Sequence, residues 1–321
     1  MTEPLILTAA LHEKMWGGTA LRDVFGFDIP SETTGEAWLI SGHKNGTVFC
    51  EDGRYAGKSI AALWQEEPQL FGNTDTNRPF PLLVKLLDAH QDLSVQVHPD
   101  DAYAGEHAGE LCKTESWYIV AAEPGAEIYY GHTAQTKAEF DAAVDAGDWD
   151  KLLRKVPVKA GDFFYVPAGT LHALGAGVLA LETQQSSDVT YRVYDFDRVD
   201  AKTGELRELH LADAKNVTTV PFVPEQPQTS TATYGGVTVT TLVEAPYFNV
   251  YKWDVDGRAT LDARAPYLLA TVIDGTLDLT VFGVTYPLHK GQSFILPNDV
   301  EAWTLQGEAT LITSTPGPKS M

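Results

Sequence analysis

Two stretches of the chain, KAGDFFYVP at 159–167 and KGQSFILP at 290–297, each place a glycine six residues before a proline, with aromatic and aliphatic residues between. Upstream, WYIVAAEPGAEIYYG (117–131) and YLLATVIDGTLDLTV (267–281) share a strand–turn–strand pattern in which Gly125 falls opposite Gly275. A repeat of this kind constrains the fold strongly, because each copy brings the same strands and turns to its own core. The rest of the sequence agrees with it. Short β-rich runs such as EAWLIS (36–41), PLLVKLL (81–87) and DFFYVPAG (162–169) are punctuated by Gly, Pro, Asn and Asp. Helical spacing is confined to a few segments, chiefly SIAALWQEEPQLFG (59–72) and KAEFDAAVDAGDWDKLLRKV (137–156). The expected fold is mainly β: two β-barrel units with a few short helices. PFVPEQPQTST at 221–231 has no periodicity and reads as a linker. It separates a first unit at 1–220 from a second at 232–321.

The 321 residues are enough for two such cores. Acidic residues outnumber basic ones, 44 against 23, for a formal net charge of −21. That balance opposes non-specific binding to nucleic acid or to an anionic membrane. An anionic substrate would have to be held by a few placed cations, so those cations become informative. The two cysteines, Cys50 and Cys112, form no CxxC pair and suit a reducing compartment. No stretch approaches bilayer length and the N-terminus lacks a signal-peptide pattern, so a cytoplasmic location is expected.

The stretch LSVQVHPDD (93–101) alternates. Leu93, Val95 and Val97 point one way, while Ser94, Gln96 and His98 point the other. Glu115 precedes the strand WYIVAA, and His172 follows the turn PAGT. Two histidines, a carboxylate and an amide suit zinc or another first-row divalent ion, with open positions for water or substrate. Taken singly, each is more often an ordinary hydrogen-bonded residue near a strand end. The repeat changes the weighting, because in the second copy Ala265 and Ala302 fall opposite Glu115 and His172. Only the first copy is expected to hold a metal. The cations nearby are Lys85, Lys113 and Arg192. Lys85 interrupts the apolar run PLLVKLLDA, Lys113 lies two residues before Glu115, and Arg192 sits in SSDVTYRVYDFDR. A guanidinium can clamp a phosphate bidentately. The competing role for Arg192 is a salt bridge to Asp188, Asp195 or Asp197.

VQVHPDD (95–101), KTESWYI (113–119), PAGTLHALG (167–175) and LETQQSSDVTYRVYDFDR (181–198), with WGG (16–18), GEAWLISGH (35–43) and FPLLVKLLDA (80–89), together resemble the type I mannose-6-phosphate isomerases of the shorter bacterial form. The resemblance runs to about residue 200 and is looser beyond. It implies a zinc-dependent enzyme of the cupin superfamily that interconverts mannose 6-phosphate and fructose 6-phosphate. It further implies that His98, Glu115 and His172 ligate one zinc ion per chain and that Arg192 is the active-site arginine. Lys85, Lys113, Glu182 and Asp188 fall on pocket-lining positions, and Gln96 on that of a fourth ligand in longer members of the family. The reaction expected is proton transfer through an enediolate, with Lys113 and Glu182 nearest the chemistry. The inserted helical domain of the longer members is lacking here. A cupin oxygenase using the same two-His, one-Glu site, and a non-catalytic sugar- or metal-binding cupin, are the rival readings. The expected partner is a small phosphosugar rather than nucleic acid or membrane, with room for a homo-oligomer through exposed strands.

Overall fold

The computed structural model describes residues 3–107, 111–200 and 203–320. Its antiparallel strands form three sheets. A six-stranded sheet runs in the order Phe163–Val166, Glu115–Ala122, Val178–Gln185, Leu82–Ala89, Thr34–Ser41, Ala10–Gly18. A five-stranded sheet runs Tyr191–Tyr194, Val95–Val97, His172–Leu174, Glu127–His132, Leu153–Pro157. The nine-stranded sheet collects the strands from Ser230 to Pro316, and it also takes in Leu5–Thr8 and Phe49–Cys50 from the N-terminal region. The class is mainly β, as expected. None of the three sheets closes on itself, so the mainly β class holds without the two closed barrels expected from the repeat.

Two faces of the six-stranded sheet explain why its strands read as nearly continuous apolar runs. Every residue of Leu82–Ala89 and of Val178–Gln185 is buried. Leu82, Val84 and Leu86 face a core shared with Phe248, Val250 and Ile312 of the nine-stranded sheet. Trp117 and Ile119 face the five-stranded sheet in a second core with Val95, Val97 and Ile128. A sheet buried on both sides cannot show the polar-out alternation of a half-exposed one. Because Leu5–Thr8 pairs with Ser293–Leu296, the chain's first strand belongs to the C-terminal sheet.

The helical segments are shorter than the sequence spacing suggests. Residues 59–72 form a helix Ile60–Glu66, capped by the Ser59 side chain, and then a 3₁₀ turn Pro68–Phe71. Pro68 cannot donate the amide hydrogen bond that would continue the first helix. Lys137–Ala146 stops at Gly147, whose φ of 66° is left-handed, and a short helix Trp149–Leu152 follows. Leu153–Pro157 is then a strand paired with Glu127–His132, not the helix end that the spacing predicts. Residues 221–229 carry no helix or strand, and Ser230 and Thr231 at the end of the expected linker begin the strand Ser230–Tyr234.

The repeat is visible in the backbone. Gly161 and Gly291 both adopt left-handed φ, 90° and 91°, at matching turns. Register refines the alignment: Val166 pairs with Glu115, and Leu296, the residue in the equivalent place before its proline, pairs with Leu268. Leu268, rather than Ala265, therefore stands where Glu115 does. His172 stays opposite Ala302, because the turns Pro167–Thr170 and Pro297–Val300 close with the same hydrogen bond.

Candidate active site

Cross-strand register builds the site from two rows of side chains. In the six-stranded sheet Trp38, Lys85, Glu182 and Trp117 are register partners across four adjacent strands. In the five-stranded sheet Arg192, Gln96 and His172 are partners across three. Side chains directly opposite in antiparallel strands share a face. The rows meet where the Trp117 ring packs edge-on against His172, with ring centroids 5.3 Å apart.

Glu115, two residues before Trp117 on the same strand, joins His98 and His172 at this meeting point. One ligand atom from each of the three lies within 4.8 Å of the others, and all three residues are buried. Nε2 of His172 is 3.1 Å from Glu115 Oε1, and Nε2 of His98 is 3.4 Å from Oε2. The tautomers follow from the outer contacts. His98 Nδ1 donates to the Val189 carbonyl and His172 Nδ1 to the Thr170 carbonyl, each at 2.8 Å, because a carbonyl can only accept. Both Nε2 lone pairs therefore point at a carboxylate. Burial, and then Lys113, pushes His98 down to about 3, so protonation of His98 does not relieve its own contact with Glu115. Glu115 Oε1 has no hydrogen-bond donor. Three converging acceptors with a buried orphan oxygen call for a cation, and the donor set fits a divalent metal.

Lys113 already brings positive charge to two of these atoms. Its ammonium donates to Glu115 Oε2 at 2.6 Å and lies 3.0 Å from His98 Nε2. Burial works against that charge, but Glu115 and then Glu182 outweigh it and hold Lys113 above the ordinary lysine range. Burial would likewise raise Glu115, yet Lys113, then His172 and His98, keep its carboxyl well below the usual range. Glu182 behaves oppositely. Burial first, and the Glu115 charge next, push it up, although Trp117 Nε1 donates to it at 3.1 Å and Lys85 Nζ is 3.4 Å away. Two carboxylates in one pocket are thus driven apart in proton affinity, which is the arrangement acid–base chemistry uses.

The remaining sequence candidates take separate places. Gln96 Nε2 lies 3.5 Å from His172 Nε2, at the limit of a hydrogen bond. Asp188 is exposed and accepts from Asn45 Nδ2 at 3.0 Å. The Arg192 guanidinium donates from Nη1 to the Glu208 carbonyl at 2.8 Å, while its buried Nε has no partner. Asp195, one of its suggested salt-bridge partners, is taken by Arg198 and Arg207, each at 2.6 Å.

Sequence reasoning missed Glu36, Trp38 and Trp117. Lys85 lies 4.7 Å over the Trp38 ring, Trp38 Nε1 donates to Glu36 Oε2 at 2.7 Å, and Lys14 pairs with Glu36 Oε1 at 3.2 Å. The signal was present. A charge inside a buried strand singled out Lys85, and the same test applies to Glu36 in GEAWLIS.

Comparison with known proteins places the whole chain among known families. Residues 5–136 match the catalytic domain of phosphomannose isomerase type I, and residues 238–316 match the mannose-6-phosphate isomerase cupin domain. The chain is 51% identical to a mannose-6-phosphate isomerase of Streptococcus mutans over 98% of both chains. It is 49% identical to one from Bacillus subtilis, over 98% of this chain and 99% of the other. The crystal structure of a mannose 6-phosphate isomerase from Bacillus subtilis superposes with a TM-score of 0.94 at 50% identity, covering 98% of this chain and 99% of that one. The apo mannose 6-phosphate isomerase of Salmonella typhimurium shares the fold, with a TM-score of 0.78 at 15% identity over 99% and 100% of the two chains.

Proposed function

The chain belongs to the type I mannose-6-phosphate isomerase family, and from that premise we propose that it interconverts mannose 6-phosphate and fructose 6-phosphate at a zinc centre held by His98, Glu115 and His172. The observation that carries the reading is the pairing of two unlike buried carboxylates, Glu115 bound into the donor set and Glu182 pushed toward its protonated form. Catalysis is assigned to the unit at 1–220, and the unit at 232–321 supports it.

Moving a carbonyl between C1 and C2 requires removing a weakly acidic proton from carbon, and the enediolate so formed persists only beside positive charge. Zinc, when bound, supplies part of that charge and polarises the carbonyl. Glu182 is assigned to move the proton between the two carbons, since it is the buried carboxyl whose proton affinity burial and then Glu115 raise. Lys85 steadies Glu182 from its far side and is itself held over Trp38. Lys113 acts as a cation beside Glu115 rather than as a base. Arg192 offers its unpartnered Nε–H to the enediolate or the phosphate. Gln96, beside His172, and Asp188, held by Asn45, are assigned to sugar hydroxyls. The setting proposed is cytoplasmic, with a small phosphosugar as partner and no part for nucleic acid or membrane. No helix among the described residues is long and apolar enough to cross a bilayer.

The test is turnover of mannose 6-phosphate to fructose 6-phosphate by the purified chain, before and after chelation and again with zinc restored. Loss on chelation and return with zinc, without oxygen, is the expected result. Failure of the zinc-loaded protein to turn over, or a requirement for oxygen, would sink the proposal.

A further inference from the structure

The second unit contains a cavity of about 570 Å³ at the same end of its strands as the metal-ligand cluster of the first. Leu268, the register counterpart of Glu115, lines it, as do Leu296 and Trp303. Its volume falls within the range of small-molecule sites. The walls are aromatic and polar together. Trp253 and Trp303 lie with rings nearly parallel, 12° apart at a centroid separation of 6.1 Å. Both are more than nine-tenths buried, and neither indole N–H has a hydrogen-bond acceptor in the protein. Two orphan indole N–H groups among the walls of one cavity are uncommon in a native fold, where buried donors are otherwise nearly always paired.

The chemistry of the walls selects among ligands. A purely apolar ligand would leave the two indole N–H groups unsatisfied. At the rim, Asp262 and Glu244 accompany Arg264, whose guanidinium donates to the Tyr234 hydroxyl at 2.8 Å. Two carboxylates against one cation, in a chain of net charge −21, disfavour an anionic ligand. A sugar ring matches both aspects. Its C–H face packs on indole, its hydroxyl oxygens accept from indole N–H, and its hydroxyl protons donate to a carboxylate.

We propose that this cavity is a second carbohydrate site, taking a neutral hexose or short oligosaccharide without a phosphate. The metal ligands lost from the second copy of the repeat are then replaced by a recognition surface in the same place.

Calorimetric titration of the full-length protein with mannobiose and cellobiose tests the proposal. At least one should bind saturably, in about the millimolar range usual for a ligand with few anchoring contacts. Trp303→Phe keeps an aromatic ring but removes the N–H, and should weaken binding by roughly tenfold. Asp262→Asn, at an exposed position that does not threaten folding, should weaken it by a smaller factor. Turnover of mannose 6-phosphate should be unchanged in both variants, which also serves as the folding control. Absence of saturable binding by neutral sugars, or binding that survives both substitutions unchanged, would overturn the proposal. Tighter binding of a phosphosugar than of a neutral sugar at this cavity would overturn the ligand class.

Discussion

The two units solve the same folding problem with opposite interiors. Among the described residues, the first buries Glu36, Lys85, Asp88, His98, Lys113, Glu115, His172, Glu182 and Asp195. The buried polar residues of the second are hydroxyl-bearing: Thr271, Ser293, Thr313, Ser314, Thr315 and Ser320. A hydroxyl can be satisfied locally, as Thr271 and Ser293 satisfy each other at 2.9 Å. A buried charge cannot, and it is stable only within a network that pairs it. The shared turn and strand pattern therefore does not itself require buried charges, since the second unit keeps it without them. Those gathered around Glu115 in the first unit, among them Lys85, His98, Lys113, His172 and Glu182, mark a candidate site. Asp88 instead accepts from the Ala20 amide, and Asp195 is held by Arg198 and Arg207, as parts of the architecture.

The sharpest way to break the comparison is to exchange what the two units carry at equivalent positions. Glu115→Gln should remove the anionic ligand, abolish stoichiometric metal and lower turnover by roughly a thousandfold or more. Metal content by elemental analysis, measured beside the rate, separates metal loss from misfolding. Leu268→Ala at the counterpart position should leave turnover near normal while lowering stability by about 2–5 kcal/mol, read from denaturant unfolding. Equal loss of activity in both variants would show that the units do not divide the work. Within the first unit, Glu182→Gln should lower kcat by roughly a hundredfold or more with metal content intact. A normal kcat in that variant would transfer the proton-moving role elsewhere.

Much of this division was legible in the sequence, and the exceptions have physical causes. The turns of the repeat could be read because glycine at left-handed φ and proline at a strand end are local requirements, independent of what packs above them. The cluster that could hold a metal could be read because Glu115 and His172 fall opposite residues without ligand atoms in the other copy. The equivalence of Glu115 with Leu268 could not, because irregular register near Leu179 and near Val272 shifts the strands relative to a linear alignment. The Lys14–Glu36–Trp38–Lys85 chain escaped for another reason. Its members come from three strands whose neighbourhood exists only once the sheet order is known.

That chain supplies a pH test of the contrast between charged and hydroxyl interiors. Burial alone would raise Glu36, but Lys85, then Lys14 and the Trp38 N–H, outweigh it and lower it to about 2. A carboxyl depressed in the folded state stabilises the fold above its unfolded value. That contribution is lost as pH falls from the ordinary glutamate range toward about 2. Its size is on the order of a few kcal/mol. Glu36→Gln should therefore flatten the stability profile between about pH 5 and pH 2, measured by urea unfolding at successive pH values. An unchanged slope would mean that other carboxylates carry the acid sensitivity.

The smallest expected effect concerns the connection in which the units differ most. In the second unit, strands Leu268–Val281 and Val284–His289 are joined by Phe282 and Gly283 alone, both at positive φ, a two-residue turn matched to the twist of the hairpin. In the first, the equivalent strands are separated by the helices Lys137–Ala146 and Trp149–Leu152. The first helix opens with a reciprocal cap, in which the Thr136 hydroxyl accepts from the Glu139 amide and the Glu139 carboxylate accepts from the Thr136 amide. Phe140 and Val144 then bury its inner face in the core of the first unit. Thr136→Ala should cost about 1 kcal/mol, seen as a fall in Tm with turnover unaffected, because the helix lies outside the rows that build the site. If turnover fell along with Tm, the insertion would be part of what holds the ligand strands in register. The first unit's extra helices would then belong to its chemistry rather than only to its outline.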